Sequence, residues 1–270
     1  MTWPFENSCD THVHVFRPGA ATVSPKALAP ADADLTRYTK TRDLLGISRT
    51  VFVQPTAYGT DNTVCAQSIA AVGSDHARGV AVIDDQISPQ DLRKLDDAGF
   101  CGARLHMLRG GVIPWDAADG VASVAASAGW HVQLQLDGRC LPQREDQIRR
   151  WQAPVVIDHI GKFLEPVATD HAAFECLLRL IDGGRLWVKL SAPYEVSVDG
   201  APDYPDISSI ARALVAHAPE RMLWASNWPH LGADPQPDNL SLLNLLADWA
   251  PDVADQKRIL CDNPAQLYGF

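Results

Sequence analysis

No stretch of about 18 apolar residues occurs in the 270-residue sequence, so nothing in it reads as a membrane span. Basic charge is scarce as well. Lysine and arginine total 23 against 33 aspartates and glutamates, a net charge of −10, which argues against nucleic acid as a partner because no basic face is left to neutralise phosphates. Residues 1–10 lack the basic start and apolar centre of a signal peptide. No C-x-x-C pair is present. The six cysteines, Cys9, Cys65, Cys101, Cys140, Cys176 and Cys261, are scattered, which points to reduced, mostly buried thiols in a cytoplasmic protein and away from a disulfide framework or zinc ribbon. There is also no low-complexity tract, repeat or composition break, so residues 1–270 are expected to fold as one domain. A homo-oligomer is left open.

Short apolar runs rich in β-branched residues alternate with amphipathic stretches. The strand-like runs cover residues 9–16, 50–54, 79–83, 101–105, 131–136, 154–159, 186–191 and 222–226. Their nearly continuous apolar filling is what parallel strands covered on both faces require. Helical spacing covers 35–45, 63–72, 88–97, 117–128, 143–151, 171–181, 207–217 and 239–249, with closing helices at 253–260 and 263–268. Gly46, Gly73, Gly99, Gly129 and Gly183 stand where helices should end in left-handed caps. Eight strand–helix repeats in this length predict an α/β fold, a single (β/α)8 TIM barrel. The proline-rich residues 18–30, and residues 197–205, then become loops over the barrel mouth.

In such a barrel, chemistry gathers at the C-terminal ends of the strands. The first strand carries Asp10-Thr11-His12-Val13-His14, and alternation puts His12, His14 and Asp10 on one face. Two adjacent imidazoles can bind a metal or polarise a carbonyl oxygen. The sixth strand ends in Asp158-His159, where His159 would converge on the first pair and Asp158, of opposite parity, would point away into a structural bond. Arg104 on strand four suits a substrate carboxylate through paired hydrogen bonds, with Arg109 and Lys162 as further cations at the rim. Gln54, Gln133 and Gln135 end strands two and five and suit hydroxyl or lactone oxygens. Tyr194 can donate to a substrate oxygen, Glu195 can act as acid or base, and His230 either lines the rim or sits at the surface. Asp10 is the first candidate for a base, its alternative being to orient a histidine.

Several segments carry a resemblance. Cys9-Asp10-Thr11-His12-Val13-His14, Val156-Ile157-Asp158-His159-Ile160-Gly161-Lys162 and Trp224-Ala225-Ser226-Asn227-Trp228-Pro229-His230 resemble the amidohydrolase superfamily, and within it the amidohydrolase-related lactonase branch. Gln54-Pro55 with Tyr58-Gly59-Thr60-Asp61-Asn62, Gly102-Ala103-Arg104, and Cys261-Asp262-Asn263-Pro264-Ala265 extend the likeness over most of the chain. Residues 216–230 look most like the members that isomerise sugar-acid lactones. The resemblance implies an enzyme that opens a carboxylated sugar-acid or pyrone-type lactone.

One position departs from the pattern. Many relatives have aspartate, a general base and often a metal ligand, where this chain has Asn227, and an amide neither takes up a proton at neutral pH nor adds negative charge to a cation site. Both the branch and Asn227 favour chemistry without a cofactor. The alternative is one divalent ion such as zinc on His12, His14 and His159. Without a metal, His12, His14 and His159 would polarise the lactone carbonyl, and Asp10 or Glu195 would activate water. The rival reaction is lactone isomerisation, in which a substrate hydroxyl replaces water and demands less of a base. A metal-dependent decarboxylase and a barrel that binds without turnover are further alternatives.

Overall fold

Eight parallel strands follow one another around one sheet in chain order. They are β1 (Cys9–Val13), β2 (Arg49–Val53), β3 (Ala77–Ala81), β4 (Phe100–His106), β5 (His131–Gln135), β6 (Val155–Ile157), β7 (Leu186–Leu190) and β8 (Met222–Trp224). The ring closes just beyond β8, where Asn227 N donates to His12 O at 3.1 Å and His14 N donates to Trp228 O at 2.9 Å. The computed structural model describes residues 5–24 and 26–270. Residues 1–4 of the N-terminal stretch and residue 25 of the proline-rich segment lie outside them.

The two faces of the strands bury different sets of side chains. Cys9, Val51, Val53, Val80, Val156, Trp187 and Leu223 fill the lower interior, together with Tyr268 from the last helix. The outer faces pack against helices that match the sequence pattern, among them α1 (Leu35–Leu45), α2 (Thr63–Val72) and α3 (Pro89–Asp97), and the chain ends in α10 (Asn263–Tyr268). The two expected closing helices run together through a π-helical turn, Arg258–Asp262. Gly46 caps α1 at φ 66°, a left-handed conformation that costs glycine nothing. Two other expected caps differ: Gly73 pairs positive φ with an extended ψ of 145°, and Gly183 stays right-handed while Gly184 makes the left-handed turn at φ 79°. Among the described residues, no helix is long and apolar enough to cross a membrane.

An irregularity in β1 positions the site. Asp10 pairs with Thr50 and Val13 with Phe52, so three steps along β1 match two along β2. One residue is extra, which makes a β-bulge, and strict alternation fails across it. Asp10 therefore faces α1, not the barrel interior. Its Oδ1 accepts from Ser226 N at 2.9 Å and His12 N at 3.3 Å, and its Oδ2 accepts from Ser226 Oγ at 2.5 Å and Tyr38 Oη at 3.4 Å. The sequence expectation that Asp10 shares a face with His12 and His14 is thus overturned. Burial pushes its carboxyl up to about 6, against the pull of the Ser226 and His12 hydrogen bonds. Asp10 works as a clasp between the first and last strands. Asp10→Ala leaves Ser226 N, Ser226 Oγ and His12 N without this acceptor, while Tyr38 Oη keeps Thr50 Oγ1, and should cost about 3 kcal/mol of stability in urea unfolding. A variant as stable as the wild type would contradict this role.

Candidate active site

His12 and His14 project into the barrel mouth with their Nε2 atoms 3.1 Å apart and their rings at 88°. The partners of each ring fix its tautomer. His14 Nδ1 lies 2.7 Å from Val53 O, an acceptor only, so Nδ1 carries the proton and Nε2 the lone pair. The proton between the two Nε2 atoms then belongs to His12. Two donors face His12 Nδ1 from behind, Gln133 Nε2 at 3.3 Å and Lys189 Nζ at 3.4 Å, which suits a lone pair there. Lys189 also donates to Gln133 Oε1 at 2.6 Å and to Thr11 O at 2.7 Å. His159 completes the cluster, its ring 4.9 Å from that of His12 and its Nδ1 2.9 Å from Ser191 Oγ. Burial holds all three imidazoles neutral. It pushes His14 down to about 3 and His12 and His159 well below the usual histidine range, with the charges of Lys189 and Arg104 adding to the effect on His12 and His14.

Asp158 is a second correction. It is fully buried inside the barrel, its Oδ2 accepting from Gln133 Nε2 at 3.1 Å and its Oδ1 lying 3.4 Å from His12 Nδ1 and 3.8 Å from Lys189 Nζ. Alternation from the interior residue Val156 already carries Asp158 inward, and the residue out of step is His159, beyond the end of β6 at Ile157. His159, Ile160 and Lys162 all take positive φ, between 49° and 56°, and this sharp turn brings His159 inward beside Asp158. Lys189 escaped the sequence reading. Its signal was a charged residue inside the apolar run Leu186-Trp187-Val188-Lys189-Leu190.

Arg104 is buried beside this cluster. Its Nη1 donates to Gln54 O at 2.8 Å and its Nη2 to Gln135 Oε1 at 3.0 Å, an oxygen that also lies 3.3 Å from His106 Nδ1. Gln54 Nε2 donates to Gly59 O at 3.1 Å and Asp61 O at 2.8 Å. Arg104 Nε and Gln54 Oε1 stay buried with no hydrogen-bond partner among the described residues. An unpaired donor and an unpaired acceptor in one concavity are costly unless a ligand meets them.

The opposite rim is a second network. The ammonium of Lys162 pairs with Glu195, whose Oε1 accepts from Asn227 Nδ2 at 2.8 Å. Asn227 Nδ2 also donates to Tyr194 Oη at 2.9 Å. Tyr194 Oη lies 2.9 Å from His230 Nδ1, and His230 Nε2 lies 2.9 Å from Asn239 Oδ1. With the amide of Asn227 donating, the Tyr194 proton runs on to His230, so Tyr194 does not offer it to a substrate as its residue type had implied. His230 is buried behind Tyr194, neither surface residue nor rim. The Arg109 side chain is exposed on the loop after β4 and belongs to neither network; it is the backbone of Arg109 that meets His106.

His12, Asp158 and His159 could each turn a ligand atom toward one ion, with those atoms within 4.8 Å of one another. This is not the three-histidine set that the sequence offered, since Asp158 replaces His14. The surrounding charge does not suit a divalent cation. The Lys189 ammonium already neighbours His12 and Asp158, and the fixed tautomers leave the His12 Nε2 lone pair protonated.

The family model described as amidohydrolase matches residues 9–270. D-galactarolactone isomerase of Agrobacterium fabrum (strain C58) is 34% identical over 96% of this chain and 90% of its own length. A 2-pyrone-4,6-dicarboxylate hydrolase of Comamonas testosteroni is 33% identical over 96% of this chain and 89% of its own. The solved apo structure of an Agrobacterium tumefaciens protein, 34% identical, superposes with a TM-score of 0.91 over 98% of this chain and 96% of that one. The chain belongs to the amidohydrolase family.

Proposed function

We propose that the protein opens a lactone ring bearing a carboxylate, by hydrolysis, without a metal ion, in the cytoplasm. The observation that carries this reading is a neutral imidazole cluster beside a buried guanidinium with a free donor. The names of the two relatives, a lactone isomerase and a dicarboxylate hydrolase, support the substrate class.

In this mechanism the lactone carbonyl oxygen takes the proton of His12 Nε2 as a hydrogen bond, displacing His14. As the carbonyl carbon becomes tetrahedral, negative charge grows on that oxygen, and the Lys189 ammonium behind His12 stabilises it through the ring. Arg104 Nε grips the substrate carboxylate, and Gln54 Oε1 accepts from a substrate hydroxyl. With Asp10 on the far face of β1, Glu195 is the carboxylate left at the rim: it takes a proton from the attacking water and returns it to the ring oxygen as the ring C–O bond breaks. Asn227 holds its Oε1 in place.

One observation favours isomerisation as the second reading. Glu195 is already neutralised by Lys162, which weakens it as a base for water. A substrate hydroxyl held next to the carbonyl needs less activation. Its proton passes to the old ring oxygen as that C–O bond breaks, so the exchange needs no strong separate base.

The deciding experiment is proton NMR of carboxylated sugar lactones and pyrone lactones incubated with chelator-treated protein. An open-chain acid is expected, and a shift in ring size identifies the isomerase. Turnover that starts only when zinc or manganese is added would refute the metal-free reading. His12→Ala should lower kcat by about 100- to 1,000-fold with an unchanged circular dichroism spectrum, and a fully active variant would remove His12 from the mechanism. Glu195→Gln separates the two reactions. It should slow hydrolysis by about 100-fold yet leave isomerisation near the wild-type rate.

A further inference from the structure

Two charged side chains are enclosed in the barrel with no exposure, Lys189 and Asp158. A buried ammonium is costly unless every proton finds a partner. Lys189 directs its donors at Thr11 O, Gln133 Oε1 and His12 Nδ1, at 2.7, 2.6 and 3.4 Å. The same ammonium stands against His12 and Asp158, two of the three groups that could otherwise gather around an ion.

We propose that Lys189 occupies the functional place of a metal ion: its ammonium excludes divalent cations from the cluster of His12, Asp158 and His159, and supplies the fixed positive charge that polarises His12. This rests on the metal-free reading above. Two effects act together. A single and a double positive charge about 4 Å apart repel strongly even at a moderate effective dielectric. The ammonium also only donates, so it keeps a lone pair on His12 Nδ1 and the proton on Nε2, the reverse of what ligation through Nε2 requires. Without the ammonium, His12 Nδ1–H can turn to Asp158 Oδ1, 3.4 Å away. Its Nε2 lone pair is then free for an ion shared with His159, whose ring lies 4.9 Å away, and a carboxylate backs a histidine ligand as in many zinc sites.

The latent metal site is therefore one substitution away. Chelator-treated wild type, Lys189→Met and Lys189→Gln are titrated with zinc alone by calorimetry, and with cobalt(II) alone by its visible spectrum. Both variants should bind one equivalent of zinc at least about 100-fold more tightly than the wild type, with a tetrahedral cobalt spectrum that the wild type lacks. A second substitution, Asp158→Asn, should return the affinity to the wild-type level. Lys189 acts as a positioning residue, so metal-free Lys189→Gln should lose kcat while KM stays unchanged. Folded variants that bind zinc no better than the wild type would overturn the inference; if the chelated wild type is still active, the metal-free reading survives. A wild type that is inactive until zinc is added defeats both. Gln can still donate to Thr11 O where Met cannot, so it is the variant expected to fold if Met does not. Failure of both to fold would make Lys189 a structural strut and overturn the inference.

Discussion

The closure of β8 onto β1 governs everything at the mouth of this barrel. Two backbone hydrogen bonds make the seam, and the buried carboxylate of Asp10 clamps it from outside by receiving Ser226 N, Ser226 Oγ and His12 N. The seam fixes the height of His12 and His14 on one side and of Asn227 on the other. The bulge in β1 is what allows one strand to serve both purposes. It turns Asp10 toward α1 while leaving both imidazoles inside. A regular strand would have placed a carboxylate beside the histidines and produced a different electrostatic site.

With Asp10 removed from the interior, charge there is sparse and positive. Arg104 and Lys189 face a single enclosed carboxylate, Asp158. That balance adds to the burial that keeps the imidazoles of His12 and His14 neutral. Arg104 Nε is left buried there with no hydrogen-bond partner among the described residues.

Much of this was legible in the sequence, for identifiable reasons. Continuous apolar runs and helical spacing revealed all eight strands and the helices between them, because both faces of each strand are buried. His12, His14, His159 and Arg104 were found because polar residues at the ends of apolar strands stand out. Parity failed along β1, where a bulge separates Asp10 from the histidines, and at the end of β6, where a left-handed turn brings His159 in beside Asp158, which alternation from Val156 already places inside. Both are backbone features set by neighbouring strands, so no local pattern announces them. Tyr194 and His230 were misread for another reason: the direction of a shared proton depends on the whole chain of partners from Asn227 to Asn239.

That chain of partners also bears on selectivity. Asn227 gives its amide hydrogens to Tyr194 and Glu195, and no described residue donates to its carbonyl oxygen. The rim at this point therefore speaks to incoming rings only as an acceptor. An amide oxygen there can accept from a hydroxyl group and has nothing to offer a carbonyl oxygen.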